Sequence, residues 1–478
     1  MRHIGLEPTR LASPDPKSGA ATNYANAAKS AAKLHKKIDM TKYLDKKITI
    51  YPLSNGIRLV HRRTLSQIAY TGVMVGAGTR DEYQAENGMA HFIEHTLFKG
   101  TEKRSARQLI DRIENVGGEL NAYTTKEETA FYAATLPNYV GRTMELLSDM
   151  LFHPAFPKAE VEKERQVIYD EIESYNDSPS ELIYDDFESL IFDGYSIARP
   201  VLGTRRTLRY FTADKARRFM RETYTPDRMV LFVLADLPFQ KVQAYAERFF
   251  GESPYVLPTV RSSSQESSEG VSLLCTSFRT PYDENARVRE TPVNYSPQTA
   301  DFHRHTHQTH VMLGGRAYPI GHNTQLALYL LNNILGGGSI SSRLNMSLRE
   351  QRGLVYTVES QYTPLSDTGY WSVYFATDPE NREECIRLVY EELRRFRETE
   401  LTPSALHRAL CQIRGQMAVS ADNSENAALA MAKQVLHTGN AFTWQDSLDV
   451  MRTFTPAFLR ETANEVFAPE SISLLQYL

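Results

Sequence analysis

The order of predicted secondary-structure elements repeats along this chain, and the repeat limits which folds are possible. Residues 121–151 read NAYTTKEETAFYAATLPNYVGRTMELLSDML, and residues 355–393 read VYTVESQYTPLSDTGYWSVYFATDPENREECIRLVYEEL. Both segments predict a strand, a turn, an aromatic strand that ends in Ala-Thr-x-Pro, and an amphipathic helix. This self-similarity indicates an internal duplication of a unit of about 200 residues. We therefore predict an α+β fold of two homologous lobes, each an antiparallel sheet with helices packed on one face and joined by a linker.

Changes in composition divide the chain into four segments. Residues 1–44 are rich in Ala, Lys, Ser and Asn, and we interpret them as a disordered leader, with a transit peptide as the alternative because acidic residues are few. Residues 45–251 form the predicted N-terminal lobe, and residues 301–478 form the C-terminal lobe. Residues 252–300 are polar and rich in turn formers, which is typical of a linker or a surface insertion.

The composition is that of an ordinary soluble globular protein and argues against several classes of function. The net charge is −4 and the pI is about 6.4, so we expect no nucleic-acid partner. The chain contains no run of 18 apolar residues, so we expect no membrane span. Cys275, Cys385 and Cys411 are odd in number and far apart, and they predict neither a disulfide framework nor a cysteine zinc site. A reducing compartment follows: the cytoplasm, or the mitochondrial matrix if the leader is a transit peptide.

The segment GMAHFIEHTLFKGT, residues 88–101, carries two histidines and a glutamate within five positions. On a helix, positions i, i+3 and i+4 share one face, so His91, Glu94 and His95 would project together. Two imidazoles one turn apart suit tetrahedral Zn2+, and Glu94 would lie where it can take a proton from a water molecule at the metal. A hydrolytic zinc needs three protein ligands, so a third one, best a carboxylate, is expected elsewhere. Taken alone, the five residues fit a chance arrangement on a surface helix equally well.

The longer segment NGMAHFIEHTLFKGT resembles the inverted zinc-binding motif of the pitrilysin/insulinase metallopeptidases, a family that includes mitochondrial processing peptidase. In that family a glutamate on a later helix completes the zinc shell, and the resemblance assigns this role to Glu171, which lies 76 residues past His95. Glu164 matches a second acidic residue of the family motif. Because two helical turns span about 7.2 residues, Glu164 and Glu171 would lie on one face of their helix.

Two further segments are similar to the same family and imply residues that bind substrate. GGELNAYTTKEETAFY resembles the strand beside the family's cleft, which implies that a peptide adds as a strand near Leu120, Asn121 and Ala122. LGGGSISSRLNMSLREQRGLVYTVES resembles the C-terminal signature, in which an Arg and a Tyr contact the substrate. The matching residues are Arg349 and Tyr356, as a clamp for the peptide and a donor to the oxyanion.

The resemblance implies a zinc-dependent endopeptidase that hydrolyses peptides or unfolded polypeptide segments inside a closed chamber. Zn2+ would be held by His91, His95 and Glu171, Glu94 would be the general base, and Glu164 would orient a ligand. The family's chamber needs four lobes, so the resemblance implies a homodimer, or a heterodimer with a related chain. The alternative is a non-catalytic partner subunit or scaffold of a processing-peptidase-like assembly.

The segment DFHRHTHQTH, residues 301–310, contains four more histidines: His303, His305, His307 and His310. Alternation along a strand would place the first three on one face. A second metal site is one interpretation. An exposed strand edge is the favoured one, because no carboxylate or thiolate lies at ligand spacing.

Overall fold

The structure is a computed structural model, and it describes these residues: 48–252, 254, 289–304 and 307–478. The predicted leader, most of the predicted linker, Cys275 and His305 lie outside the described residues. All the described residues belong to one compact unit, Thr41–Leu478. Within them, no helix combines the length and the apolar composition that a membrane crossing requires.

The first half of the chain builds one sheet. Its strands are β1 Ile48–Pro52, β2 Arg58–Arg63, β3 Ala69–Val75, β4 Glu119–Thr124, β5 Thr129–Thr135 and β6 Met229–Ala235. Their order across the sheet is β1-β2-β6-β3-β5-β4, which makes β4 an edge strand. The hairpin predicted around Asn55-Gly56 is present: β1 and β2 pair antiparallel, and Gly56 has a φ of 96°, which suits glycine.

The second half builds a sheet of the same topology. Its strands are β7 Thr299–Phe302, β8 Thr309–Ala317, β9 Val355–Pro364, β10 Gly369–Thr377 and β11 Ser473–Tyr477. Their order, β7-β11-β8-β10-β9, repeats the order β2-β6-β3-β5-β4, and the predicted α+β duplication is confirmed. The sheets are mixed rather than purely antiparallel, because β2 pairs parallel with β6, and β7 with β11. In the first half the last strand, β6, returns beside β2, and in the second half β11 returns beside β7. A long connection precedes each return, as a parallel pair requires.

Helices account for most of the remaining described residues. Those of the first half are α1 Met89–Leu97, α2 Ala106–Glu114, α3 Val140–Phe152, α4 Lys158–Asn176, α5 Pro179–Ile191, α6 Arg205–Leu208, α7 Ala213–Thr223 and α8 Phe239–Phe250. Those of the second half are α9 Gln325–Gly336, α10 Arg382–Glu398, α11 Pro403–Asp422, α12 Ser424–Thr438, α13 Trp444–Met451 and α14 Pro456–Val466, with a π-helix at Asn345–Glu350.

One helix of each half packs on the sheet of the other half. Each sheet is therefore covered on both faces, and the expectation that helices cover only one face is wrong. Successive strand residues face opposite sides of a sheet. In β3, Val73 packs into the core formed with α1 and α3, whereas Met74 packs against α12 of the second half. Reciprocally, Phe187 of α5 packs on the second sheet beside Met312 and Tyr370. Apolar residues are therefore buried on both faces of each sheet, and the two halves share their cores.

The turn between β4 and β5 carries a carboxylate whose partners come from the second half. Glu128 is buried, and its oxygens accept hydrogen bonds from Lys433 Nζ at 2.6 Å and from His437 Nε2 at 3.2 Å, both on α12. Burial alone raises the pKa of Glu128, but the His437 hydrogen bond and the Lys433 charge outweigh burial and lower the pKa from 4.5 to about 2. The ionised form of Glu128 is therefore the one that the fold stabilises.

We expect Glu128 to make the fold sensitive to acid. Because its pKa is lower in the folded chain than in the unfolded chain, its contribution to stability is complete above pH of about 4.5 and is lost as the pH falls toward about 2. The thermal midpoint of the wild type should fall more steeply over this window than that of Glu128→Gln. Other carboxylates titrate in both proteins, so the difference between the two slopes isolates Glu128, and equal slopes would contradict its depressed pKa.

Candidate active site

The start of α1 is fixed by a glycine contact and a buried carboxylate. Gly88 precedes the helix with a φ of 95°, and a Cβ there would lie 2.8 Å from the Cα of Gly203. Buried Glu82 accepts hydrogen bonds from the backbone N–H groups of Gly88 and Ala90, both at 2.8 Å. These donors have no partner within the helix, and a carboxylate at a helix N-terminus stabilises it. Glu82 was not predicted from the sequence, where its only signal is an acidic residue shortly before the helix.

The structure brings His91, His95 and Glu171 together, as predicted. His91 Nε2 lies 3.7 Å from one Glu171 carboxylate oxygen, and His95 Nε2 lies 3.5 Å from the other. One ligand atom from each of the three residues falls within 4.8 Å of the others. α1 supplies the two imidazoles and α4 supplies the carboxylate, and the Glu171 side chain is 42% exposed, so the cluster opens to solvent.

These side chains fit a tetrahedral zinc ion. Ligands at about 2.0–2.1 Å from tetrahedral zinc lie about 3.3 Å from one another, close to the observed separations. Within the part of the chain that the structure describes, the buried Oε2 atom of Glu171 has no hydrogen-bond partner. Burial, together with the neighbouring His95, lowers the pKa of His91 to about 3, which keeps its imidazole in the neutral, metal-binding form. Zn2+ at this position would therefore be held by His91, His95 and Glu171.

Glu164 lies within hydrogen-bond distance of one of the two imidazoles. It is buried on α4, and its carboxylate lies 3.2 Å from His95 Nδ1 and 2.9 Å from Lys99 Nζ. With Nδ1 donating to Glu164, the lone pair of Nε2 is left on the side of Glu171, which is how supporting carboxylates act on metal-binding histidines. The position agrees with the predicted helper role. Lys99 forms an ion pair with the other carboxylate oxygen of Glu164. This role was not predicted, although Lys99 lies within the segment 88–101.

Glu94 lies beside the cluster and is held by a threonine. Thr124 Oγ1, at the end of edge strand β4, donates a hydrogen bond to Glu94 Oε2 at 2.5 Å. Burial raises the pKa of Glu94, while the Thr124 hydrogen bond and His95 lower it and Glu171 raises it further. A carboxylate with a raised pKa next to a metal cluster suits a general base. Thr124 was also missed, although it lies two residues beyond the predicted substrate strand.

The predicted substrate strand has an open edge. Leu120, Asn121 and Ala122 belong to β4, which pairs only with β5 among the strands that the structure describes. Leu120 and Ala122 pack partly against the core, and α1 packs beside the same strand. The backbone groups on the free edge of β4 are therefore next to the cluster, where an extended peptide can pair with them.

Arg349 and Tyr356 lie in the second half and do not contact the cluster. Arg349 is on the π-helix with its side chain 48% exposed, and Tyr356 is 83% exposed on edge strand β9. Within the described part of the chain, neither has a hydrogen bond, ion pair or ring contact with the metal cluster. The structure thus leaves both residues facing solvent rather than their own chain's site.

Among the described residues, one other group has the spacing of metal ligands: Glu127, Glu128 and His437. The carboxylates of this group are paired with cationic side chains, which argues for a structural role. The histidines of the 301–310 segment form no such group among the described residues, and His310 instead bonds to Tyr374 Oη at 2.9 Å. The expectation that the segment is one strand is wrong: β7 ends at Phe302 and β8 begins at Thr309, so exposed His303 and His307 lie in the connection between them.

Comparison with known proteins extends over most of the chain. Residues 58–205 match the family described as insulinase (peptidase family M16), and residues 210–413 match the peptidase M16 inactive domain. Helix α9, the counterpart of α1 in the second half, reads QLALYLLNNILG and carries no histidine, aspartate or glutamate. The description of that domain as inactive therefore agrees with the absence of metal ligands from α9.

Relatives span the whole two-lobed unit. A Bacillus subtilis protein named uncharacterized zinc protease YmxG is 29% identical over 88% of this chain and 96% of its own length. An uncharacterized zinc protease of Streptomyces coelicolor is 31% identical over 87% of this chain and 86% of its own length. The crystal structure of a protease from Helicobacter pylori, at 21% identity, has the same fold, with a TM-score of 0.78 over 90% of this chain and 99% of that chain. This chain therefore belongs to the insulinase family, peptidase family M16.

Proposed function

We propose that this chain is a zinc-dependent endopeptidase. The observation that carries the proposal is the convergence of His91, His95 and Glu171 within 4.8 Å, with Glu94 held next to them by Thr124. Three protein ligands and an opening to solvent are the arrangement of a hydrolytic zinc site, whereas structural zinc sites are closed by four ligands. Relatives named zinc proteases support the choice of metal.

Different side chains of the site have different roles in the proposed peptide hydrolysis. When bound, zinc supplies Lewis acidity and lowers the pKa of a coordinated water molecule to about 7. Glu94 takes a proton from the attacking water and returns it to the leaving amine. Thr124 fixes the carboxylate of Glu94, and Glu164, itself held by Lys99, fixes the ring of His95. Rigid support of this kind keeps the reacting groups in place at no cost during the reaction.

The substrate is proposed to be a peptide or an unfolded polypeptide segment. Main-chain pairing with the free edge of Leu120, Asn121 and Ala122 binds an extended backbone with little dependence on its sequence. Arg349 and Tyr356 would act on the site of a second copy in a closed chamber, which is supported by their exposure and by their lack of contact with their own cluster. A heterodimer with a related chain would place them in the same way.

Removal of zinc tests this proposal against a non-catalytic partner subunit, the alternative that the description of residues 210–413 as inactive favours. We expect the zinc-loaded chain to hydrolyse a fluorogenic peptide, a chelator to abolish hydrolysis, and added zinc to restore it. Glu171→Gln should weaken zinc binding by more than the about 10–100-fold that loss of a supporting residue costs. Glu173→Gln is the matched control, because Glu173 lies on the same helix and, among the described residues, pairs only with exposed Arg205.

Two results would contradict the proposal. A zinc-loaded wild type that leaves a broad peptide library uncut would favour the non-catalytic subunit. Unchanged zinc affinity in Glu171→Gln, measured by competition with a chelating dye, would remove Glu171 from the metal site.

A further inference from the structure

The turn that follows Thr124 consists of buried charges, which is unusual for a hairpin turn. Lys126, Glu127 and Glu128 are all buried. Turns normally lie at the surface, and burying a charge is costly unless it is paired. The partners of these three residues therefore determine where the turn can lie.

Glu127 is held by the second half of the chain. Its carboxylate accepts hydrogen bonds from Ser366 N at 2.8 Å and Ser366 Oγ at 2.6 Å, in the turn between β9 and β10. Arg80 donates to Glu127 at 2.7 Å and makes two bonds of 2.7 Å to the carboxylate of Asp367. The β9–β10 turn of the second sheet therefore binds the β4–β5 turn of the first sheet in two ways. Ser366 bonds to Glu127 directly, and Arg80 links Glu127 to Asp367.

The Glu128 carboxylate takes its side-chain partners from the second half. Among the described residues, its carboxylate bonds to Lys433 and His437 of α12 and to no side chain of the first half. Lys126, in contrast, is held within the first half by the carbonyl oxygen of Arg199 at 2.7 Å and by Glu188 at 3.1 Å. Two of the three buried charges, Glu127 and Glu128, are therefore bonded to groups of the second half.

The turn is connected to the catalytic base through Thr124. The amide of Thr125 donates to the Glu128 carbonyl at 2.8 Å, which closes the turn. Thr124 precedes this turn and donates to Glu94, and Thr129 on its other side donates to the carbonyl of Ala77 at 2.9 Å. A shift of the turn would displace the hydroxyl that holds the base.

We propose that Glu127 and Glu128 are positioning residues through which the second half sets the place of Glu94. The inference rests on the proposed hydrolysis and deepens it by giving the second half a role at the base. A displacement of about 1 Å in a positioning contact costs up to about a hundredfold in rate. Substrate binding along β4 depends on main-chain groups, so the effect should fall on kcat rather than on KM.

A double-mutant cycle tests the connection. Thr124→Val removes the hydroxyl at nearly constant volume, and we expect kcat to fall about tenfold. Lys433→Met, in the other half, should lower kcat severalfold with KM little changed. In the Thr124→Val background, Lys433→Met should have no further effect on kcat, because the bond through which it acts is already absent. Thr124→Ser, which keeps the hydroxyl, should restore kcat to near the wild-type value.

The control is Tyr132→Phe, which removes another hydrogen bond between the halves. Tyr132 Oη donates at 2.6 Å to Glu425, on the same helix as Lys433, and among the described residues no side-chain hydrogen bond joins Tyr132 to residues 125–128. We expect Tyr132→Phe to have a small effect on kcat, and the effect should be equal in the wild-type and the Thr124→Val backgrounds. Additive effects of Lys433→Met and Thr124→Val would overturn the proposal, since a merely structural role of Lys433 predicts additivity.

A readout that is independent of catalysis separates this inference from the proposed function. Lys433→Met should speed hydrogen exchange at the backbone amides of residues 125–129, whereas Tyr132→Phe should leave it unchanged, with zinc content equal in both. If the wild type fails to cut peptides but Lys433→Met still speeds hydrogen exchange at residues 125–129, the proposed function is wrong. The conclusion that the second half holds the turn would remain. If hydrogen exchange and kcat are both unchanged in Lys433→Met, the second half does not position the turn and the inference is wrong.

Discussion

Replacing Glu94 by Gln is expected to reduce kcat for peptide hydrolysis by about 10²–10⁴-fold while zinc remains bound. The amide has nearly the shape of the carboxylate, and its oxygen can still accept the hydrogen bond from Thr124. It cannot accept a proton from water at neutral pH. Because the metal-ligand group consists of His91, His95 and Glu171, the loss of charge at Glu94 leaves the proposed ligand shell complete.

The measurement pairs kcat with zinc content, and each outcome assigns a role to Glu94. Exposed Glu114, at the end of α2, supplies the control variant Glu114→Gln, whose kcat should equal that of the wild type. A Glu94→Gln protein that cuts peptides at the wild-type rate would show that another group is the base. A protein that loses zinc as well as activity would make Glu94 part of the metal site.

The parts of the site that follow helical periodicity could be predicted from the sequence. His91, Glu94 and His95 lie within one helical turn, and Glu164 and Glu171 lie two turns apart on one helix, so the local geometry fixes which side chains face together. The contact between α1 and α4 is a tertiary contact, which helical periodicity does not predict. It was expected only from the resemblance to a family. The structure bears out this meeting of the two helices.

The residues that the sequence analysis missed act through tertiary contacts that no local pattern records. Glu82 caps α1 from a preceding turn, Thr124 reaches Glu94 from an edge strand, and Lys99 pairs with Glu164 on another helix. Each is a single polar residue whose neighbours in the sequence do not distinguish it from a surface residue. Only the packing of the elements gives it a partner.

The exchange of helices between the halves was missed for a related reason. The apolar residues of α5 and α12 predict that each helix buries one face, but the periodicity is silent about which sheet receives it. In β3, both Val73 and Met74 are buried, so the strand lacks the alternation that marks a sheet with one face in solvent. A continuous apolar run in such a strand is the signal that both faces are covered.

The second large effect is expected at Arg80, whose side chain is fully buried between the two halves. Arg80→Met should destabilise the chain by about 3–5 kcal/mol, the usual result of removing one partner from a buried ion pair. The guanidinium bonds to Glu127, to both oxygens of Asp367 and to the carbonyl oxygen of Glu290 at 2.7 Å. Methionine fills much of the volume but leaves buried Glu127 and partly buried Asp367 with fewer donors.

Chemical denaturation of Arg80→Met and of two comparison variants separates charge pairing from packing. Arg80→Lys should recover only part of the loss, because an ammonium cannot reproduce the two-pronged bond to Asp367. Arg107→Met removes an exposed arginine that pairs with Asp111 on α2, and its effect should stay within about 0.5 kcal/mol. If Arg80→Met costs no more than Arg107→Met, the buried network does not hold the halves together. The exchanged helices would then provide most of the contact between the halves, and Ser366 and Arg289 would hold the turn at Glu127 without Arg80.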